Sequence, residues 1–391
     1  MTERVFEVRI PHLPAFQESE FRGRLDRVRR GMSERGVDTL ALFSPASVYY
    51  LSGLENDNLW EPLCLIVTLT DDPVLALPVF ERGRAVNSAW VADVVTWGRG
   101  EDPAVTIARL LERTSGRTVG IEQRAFLGLT PHLYGQLAER LKDHRLVDPH
   151  GIVEACRQRK SPAELAYMRV AGRITDAATE AGLAAVRDGV ADHEIAAEIM
   201  AAAYRAGSDM ISFGPVVAIG YRAGAPHSTM NGSIARPGDT VFLELTGQQR
   251  RYAAPAMRTA YLGEPPAWAE ELAAAGEAAI DAWVRVAAPG VPLSEAARAA
   301  WAHVEPVSEG LMLAGAFGYS MGIAFQPLWL EDTGHWVRTD SDRTFDEGMT
   351  FHVPVALRGY GAFGVNQSQS VAITATGAEL LTRTSPRMRV A

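Results

Sequence analysis

The chain has 391 residues, a formal charge of −9, 47% hydrophobic and 22% charged residues, and two cysteines, Cys64 and Cys156. Such a chain is long enough for two globular domains, and its negative balance argues against nucleic acid as the natural partner. It contains no run of about 18 apolar residues, which argues against a membrane span, and so few cysteines suit a reducing cytoplasm better than a disulfide scaffold.

The opening MTERVFEVRIPHLPAF carries charges and prolines where a secretory leader needs an apolar core, so a cytoplasmic location is expected. FRGRLDRVRRGMSERG then has helical spacing and ends on glycine before a short strand, DTLALFS. A polar, aromatic loop in YYLSGLENDNLWEPLCLIVTL leads to a buried strand. PVLALPVF, VADVVTW and TVGIE are further strand candidates, with DPAVTIARLLERTS as a helix between the last two. These elements describe a small α/β domain over 1–150. A long helical stretch follows, with Ser161, Pro162 and Glu164 spaced as a capping box.

Residues 151–391 contain an internal repeat. DAATEAGLAAVRDGVADHEIAA (176–197) lies over EAAIDAWVRVAAPGVPLSEAAR (277–298), so that Gly189, Val190 and Glu194 match Gly290, Val291 and Glu295. Each copy reads as a helix, a Gly-Val break, a second helix and then strands. Two such halves imply a site between them.

The strands after each helix pair carry the polar residues. GPVVAIGYRAGAPHST leads into a loop holding His227, and DTVFLELTGQQRRYAAPAMRTAYLG reads as two strands joined by a polar turn, with Glu244 in the first. Alternation places Phe242, Glu244 and Thr246 on one face. Glu244 is then either a solvated residue of an edge strand or a buried carboxylate that needs a partner or a proton. His352, in the apolar run MTFHVPVAL, is either a pocket residue or a core histidine bonded to backbone.

VVAIGYRAGAPHS, ARPGDTVFLELTG, RYAAPAMRT, GYSMG, EGMTFH and SVAITATGAELLT together resemble the pita-bread family of methionine aminopeptidase, aminopeptidase P, prolidase and creatinase. SPASVYYLSGL and WGRGEDP resemble the smaller N-terminal domain of prolidase and creatinase. The resemblance implies an α/β (α+β) chain: a creatinase/prolidase-like domain over 1–150, then a pita-bread catalytic domain with a pseudo-twofold repeat over 151–391. It also implies a homodimer in which a loop of the small domain, here with Asp57, Trp60 and Glu61, leans over the neighbour's site.

The family's peptidases hold two metal ions with two Asp, one His and two Glu. Those positions fall on Glu244, Pro255, Tyr319, Pro354 and Ser368. One carboxylate cannot supply a hard dinuclear site, so neither a metal nor any other cofactor is expected. PHST, FLELTG, GYSMGIAFQPLW and GMTFH are closer to ectoine hydrolase, a metal-free branch that also includes creatinase. That likeness implies C–N hydrolysis of a small cyclic amidine or guanidino compound. His227, Glu244 and His352 are its catalytic candidates; Tyr319, Arg258, Gln326, Gln369, Trp60, Tyr252 and Trp329 are its substrate-binding candidates. Arg258 reads either as an anchor for a substrate carboxylate or as part of a structural ion pair.

The chain departs from the ectoine hydrolase pattern at Met230 (for Trp), Ala253 (for His) and Gln369 (for Glu), and Gln326 replaces a second catalytic histidine of the peptidases. These changes keep open two alternatives: a degenerate peptidase-like binding protein, or a lyase, cyclase or biosynthetic hydrolase reusing the pocket.

Overall fold

The computed structural model describes residues 11–58, 60–124, 127–331 and 335–391. Residues 1–10, which hold most of the stretch read above for a leader, lie outside it. Among the described residues no helix is long and apolar enough to cross a membrane.

The chain divides into two compact units, 1–157 and 158–391. The first unit runs α1 (Glu18–Glu34), β1 (Thr39–Leu42), α2 (Pro45–Ser52), β2 (Cys64–Thr68), β3 (Val74–Pro78), α3 (Arg82–Ser88), β4 (Asp93–Trp97), α4 (Pro103–Glu112), β5 (Thr118–Ile121), α5 (Pro131–Arg140), β6 (Arg145–Val147) and α6 (Val153–Gln158). Its six strands form one mixed sheet in the order β4-β3-β2-β1-β5-β6. The division falls at the last residue of α6, whose preceding residues are bonded back into the first unit: the Tyr50 hydroxyl donates to the Cys156 carbonyl, and Arg157 donates to Ser47 Oγ. The start of the segment read as a polar loop, Tyr49–Ser52, is helical, since Pro45 fits the first turn of α2 and Gly53 closes it at φ 76°.

The second unit contains α7 (Pro162–Ala185), α8 (Asp192–Arg205), β7 (Val216–Ile219), β8 (Thr240–Gln249), β9 (Tyr252–Tyr261), α9 (Ala267–Val286), α10 (Leu293–Val304), β10 (Tyr319–Phe325), β11 (Leu328–Leu330), β12 (Thr350–Gly359), β13 (Phe363–Thr374), β14 (Gly377–Leu380) and β15 (Arg389–Val390). Its main sheet has the order β14-β13-β12-β10-β9-β8-β7. The capping box at Ser161 and Glu164 starts α7 as expected, with Ser161 N–H donating to Glu164 at 2.8 Å.

The repeat extends to backbone detail. Gly189 and Gly290 both adopt positive φ, at 79° and 82°. Their N–H groups donate to the equivalent carbonyls of Ala235 and Phe345, and Ala191 and Pro292 form matching bridges to Ile234 and Thr344. In each half a helix pair covers one face of the strands. Val241, Leu243 and Leu245 of β8 face α7 and α8, while Phe351, Val353, Val355 and Leu357 of β12 face α9 and α10. The approach is close: a Cβ on Gly247 would stand 2.5 Å from Ile174 of α7.

Strand alternation sends the intervening residues to the other face. There Phe242 and Met257 pack with Ala356 of β12, which brings the two halves together. Glu244, Pro255, His352, Pro354, Arg358 and Ser368 share the parity of this face.

Candidate active site

On this face a cavity of about 470 Å³ is lined by Phe213, His227, Glu244, Tyr319, Trp329 and Trp336, together with the turn around 327–330. Its size suits a small molecule. Its aromatic walls are organised by Phe213 packing edge-on against Trp329 at 5.3 Å, and by Tyr319 lying 5.5 Å from Trp336. A second cavity of about 520 Å³ beside α10 is mainly apolar, with Arg298 as its charged side chain and no carboxylate or histidine.

Glu244 is buried because β8 is an interior strand, paired with Val216 of β7 on one side and Met257 of β9 on the other. The edge-strand alternative therefore falls. The carboxylate is 7% exposed and makes no hydrogen bond or ion pair among the described residues. Burial pushes its pKa up to about 7, against the opposing pull of the Arg358 guanidinium. An unpaired carboxylate can thus take or give a proton near neutrality.

His227 reaches the same cavity from a loop fixed at both ends. Ser228 Oγ donates to the carbonyls of Arg222 and Ala225 at 3.2 and 3.1 Å. Asp192, on the first turn of α8, accepts the N–H groups of Asn231, Gly232 and Ser233. Those bonds hold the Asp192 carboxyl below its ordinary range despite the opposing effect of burial, so it stays ionised as a fastening. His227 itself has φ 54°, which turns its exposed side chain out of the regular path of the loop.

Tyr319 is held from behind. Its hydroxyl lies 2.8 Å from Trp329 Nε1 and 2.7 Å from His352 Nδ1. His352 Nε2 lies 2.6 Å from Ser368 Oγ, which also accepts the Met257 N–H at 2.6 Å. Within this group His352 Nε2 is the available acceptor for the buried Ser368 hydroxyl proton. The proton of the neutral imidazole then resides on Nδ1 and is donated to Tyr319. With both lone pairs of Tyr319 occupied by Trp329 and His352, the phenolic proton is left to point into the cavity. Burial lowers His352 to about 3, helped by the Arg258 guanidinium, so the ring stays neutral. Burial and the nearby Glu244 charge push the Tyr319 phenol upward, keeping it a donor.

This geometry revises several expectations. His352 is fully buried behind Tyr319 and does not line the cavity, so it positions Tyr319 instead of meeting a substrate. Arg258, Tyr252 and Gln369 have the opposite strand parity and lie on the helix-covered face. Arg258 donates to the carbonyls of Met257, Ser368 and Thr384 and to Gln369 Oε1, which leaves it unable to anchor a substrate carboxylate. Gln369 is held by Thr382 and Thr384, and the Tyr252 hydroxyl donates to Glu164 of α7 at 2.7 Å. Gln326 is exposed at the turn after β10, with Nε2 3.4 Å from the Ile211 carbonyl, and lies outside the lining. Trp60 belongs to the first unit and is 82% exposed. Glu244, His227, Tyr319 and Trp329 are the sequence candidates that the cavity brings together. Phe213 and Trp336 line the same cavity and were missed. These two aromatic residues lie outside the periodic elements, so no alternation marks them.

Comparison with known proteins places this chain in a family. Residues 166–375 match metallopeptidase family M24, and residues 24–159 match the creatinase/prolidase N-terminal domain. Ectoine hydrolase of Halomonas elongata is 29% identical over 387 residues, covering 94% of this chain and 96% of that enzyme. A Xaa-Pro dipeptidase of Lactobacillus delbrueckii is 25% identical, covering 94% and 98%. Among solved structures, a prolidase from Thermococcus sibiricus superimposes with a TM-score of 0.85 at 18% identity, covering 95% of this chain and 99% of that one. With a creatinase/prolidase-type first unit, a duplicated second unit and the M24 match over most of the latter, the chain belongs to metallopeptidase family M24.

Proposed function

We propose that the protein is a metal-independent hydrolase of non-peptide C–N bonds, acting on ectoine or a related small cyclic amidine or guanidino compound. The observation that carries this reading is the buried Glu244 carboxylate, unpaired, sharing one small aromatic cavity with His227 and the Tyr319 hydroxyl. The five positions at which family peptidases bind metal carry Glu244, Pro255, Tyr319, Pro354 and Ser368. This donor set does not fit a dinuclear cluster, since proline offers no side-chain ligand and only one carboxylate remains.

A protonated amidine is a planar cation that pairs with ionised Glu244. Water adds to the amidinium carbon: the C–O bond forms, the C=N π electrons move onto nitrogen, and Glu244 accepts the water proton. The Tyr319 hydroxyl donates to the new oxygen. His227 relays a proton to one nitrogen, that C–N bond breaks, and the products are an amide and an ammonium group. Direct attack by the carboxylate would expel the protonated nitrogen and leave an O-imidoyl ester on Glu244, which water hydrolyses to the same amide.

The test is turnover by purified, chelator-treated protein on ectoine, hydroxyectoine, creatine and Xaa-Pro dipeptides. Ring opening of an amidine, or cleavage of the guanidino compound, is the expected result. Metal-dependent cleavage of the dipeptides alone would overturn the reading, and binding without turnover would favour a non-catalytic role.

A further inference from the structure

The internal repeat separates contacts that the fold needs from one that it does not. In the first half the Gly189 N–H donates to the Ala235 carbonyl, Ala235 returns a bond to Val190, and the Asp192 N–H donates to Ser233. In the second half Gly290 donates to Phe345, Phe345 returns a bond to Val291, and Leu293 donates to Arg343. The backbone frame is therefore duplicated bond for bond, but the side chains at Asp192 and Leu293 differ. Leu293 packs into the apolar cluster that joins α9, α10 and β12. Asp192, 1% exposed, instead gives its carboxylate to the chain beyond His227. Its Oδ2 accepts the N–H groups of Asn231 at 2.9 Å and Ser233 at 3.2 Å, and its Oδ1 accepts those of Gly232 at 3.2 Å and His193 at 2.7 Å.

A frame that stands with leucine in one copy does not depend on aspartate in the other. A buried carboxylate is also costly unless it is hydrogen-bonded, so Asp192 and the loop need each other. The two loops differ in the same sense. Counting back equally from the bridges at Ile234 and Thr344, His227 stands where the second half has Val337. Val337 donates to Gly318 and accepts from Phe317, which ties that loop directly to the approach of β10. His227 makes no backbone hydrogen bond among the described residues. Its loop is held by Ser228 next to it and by Asp192 beyond.

We propose that Asp192 is a positioning residue for His227, holding the imidazole at the cavity while being dispensable to the fold. Asp192 is not among the residues that line the cavity and meets no substrate; it acts through the loop. The inference rests on the reading of His227 as the proton relay. Such a group must stand within hydrogen-bond reach of the atom it serves, and a displacement of about 1 Å caused from outside the reacting centre costs on the order of 10²-fold.

The experiment copies the second half into the first. Asp192→Leu should fold and melt close to wild type, since Asn231 and Gly232 are exposed and water can take their N–H groups. On ectoine or creatine, whichever the wild type turns over, its kcat should fall roughly 10- to 100-fold with KM changing far less. Asp192→Asn, which keeps one acceptor oxygen, should fall between. Combined with His227→Ala, Asp192→Leu should cost nothing further, because the group it positions is gone. Two readouts do not need turnover. Hydrogen exchange at 231–233 should be at least about 10-fold faster in Asp192→Leu, the scale of a lost hydrogen bond to a charged group. The His227 ring resonance, identified by its loss in His227→Ala, should move towards that of free imidazole.

An Asp192→Leu chain that fails to fold makes the carboxylate part of the frame and overturns the inference. A folded variant with wild-type kcat, or with unchanged exchange at 231–233, also overturns it. So does a double variant slower than His227→Ala by the full Asp192→Leu factor. If the wild type turns over neither compound, the amidine reading fails on its own, and exchange with the ring resonance still decides whether Asp192 holds His227.

Discussion

The Tyr319 hydroxyl stands 2.7 Å from Nδ1 of His352, directly across the β10–β12 register. The pairing makes a histidine in an apolar strand a support for the cavity wall. His352 gives Tyr319 a hydrogen bond, Ser368 fixes the imidazole from behind, and the phenolic proton is committed to the cavity.

Tyr319→Phe should therefore lower kcat by about 10²-fold or more while moving KM little, as expected for a donor that matters most in the transition state. His352→Ala should reproduce much of the loss, and the double variant should be scarcely worse than the Tyr319 variant alone. Additive losses would show that His352 acts on something other than Tyr319.

Glu244 also predicts a stability difference whose sign depends on pH. Its folded pKa of about 7 lies above the ordinary 4.5, so the folded state holds a proton that the unfolded chain has released between those values. The carboxyl's contribution to stability is complete below 4.5 and is lost as pH rises to about 7. Glu244→Gln should melt together with wild type near pH 4 and above it at pH 8, by up to about 3 kcal/mol at 1.36 kcal/mol per pKa unit. An equal melting difference at both pH values would mean that Glu244 is not buried in a protonated state.

What the sequence revealed and what it concealed divide along strand parity. The order of the motifs and the Gly189/Gly290 repeat suffice for the fold, because glycine at positive φ and alternating apolar residues are local signals. Glu244 and His227 were legible as chemical groups in unusual surroundings. Whether Glu244 was buried was not legible, since that depends on both neighbouring strands. Arg258, Tyr252 and Gln369 stand on the opposite alternation to Met257, Pro255 and Ser368, which turns each toward the helices, and motif position alone does not carry that parity.

Metal content should separate this chain from the family's peptidases. Protein purified from metal-rich medium should carry no stoichiometric Mn, Co or Zn by mass spectrometry, and EDTA should leave its rate unchanged. Two tightly bound ions per chain would require ligands that Pro255, Pro354 and Ser368 do not supply, and would end the metal-free reading.

Trp60 bears on assembly. A tryptophan 82% exposed on a loop of the first unit is an unusual surface residue, and we propose that a second copy covers it in a homodimer. Light scattering at micromolar concentration should give twice the chain mass, and Trp60→Ser should weaken the dimer. A wild-type monomer at that concentration would reject the proposal.

The proposed reaction depends on Glu244 and His227, which line one cavity, acting together. Because free Glu244 titrates at about 7, kcat/KM on a permanently cationic amidine should rise with pH through that value and then level. Glu244→Gln preserves size and hydrogen bonding but removes the charge that attracts the cation and accepts the water proton. It should cost roughly 10³-fold or more in kcat and abolish the acidic limb. His227→Ala should cost on the order of 10²- to 10⁴-fold if the imidazole relays the proton to the departing nitrogen. That loss should shrink for substrates whose leaving amine is more acidic, since such nitrogens need less protonation. Groups working as one unit are strongly non-additive, so the double variant should resemble the worse single one. A Glu244→Gln protein that keeps full turnover and the wild-type pH profile would make the carboxylate structural and exclude this mechanism.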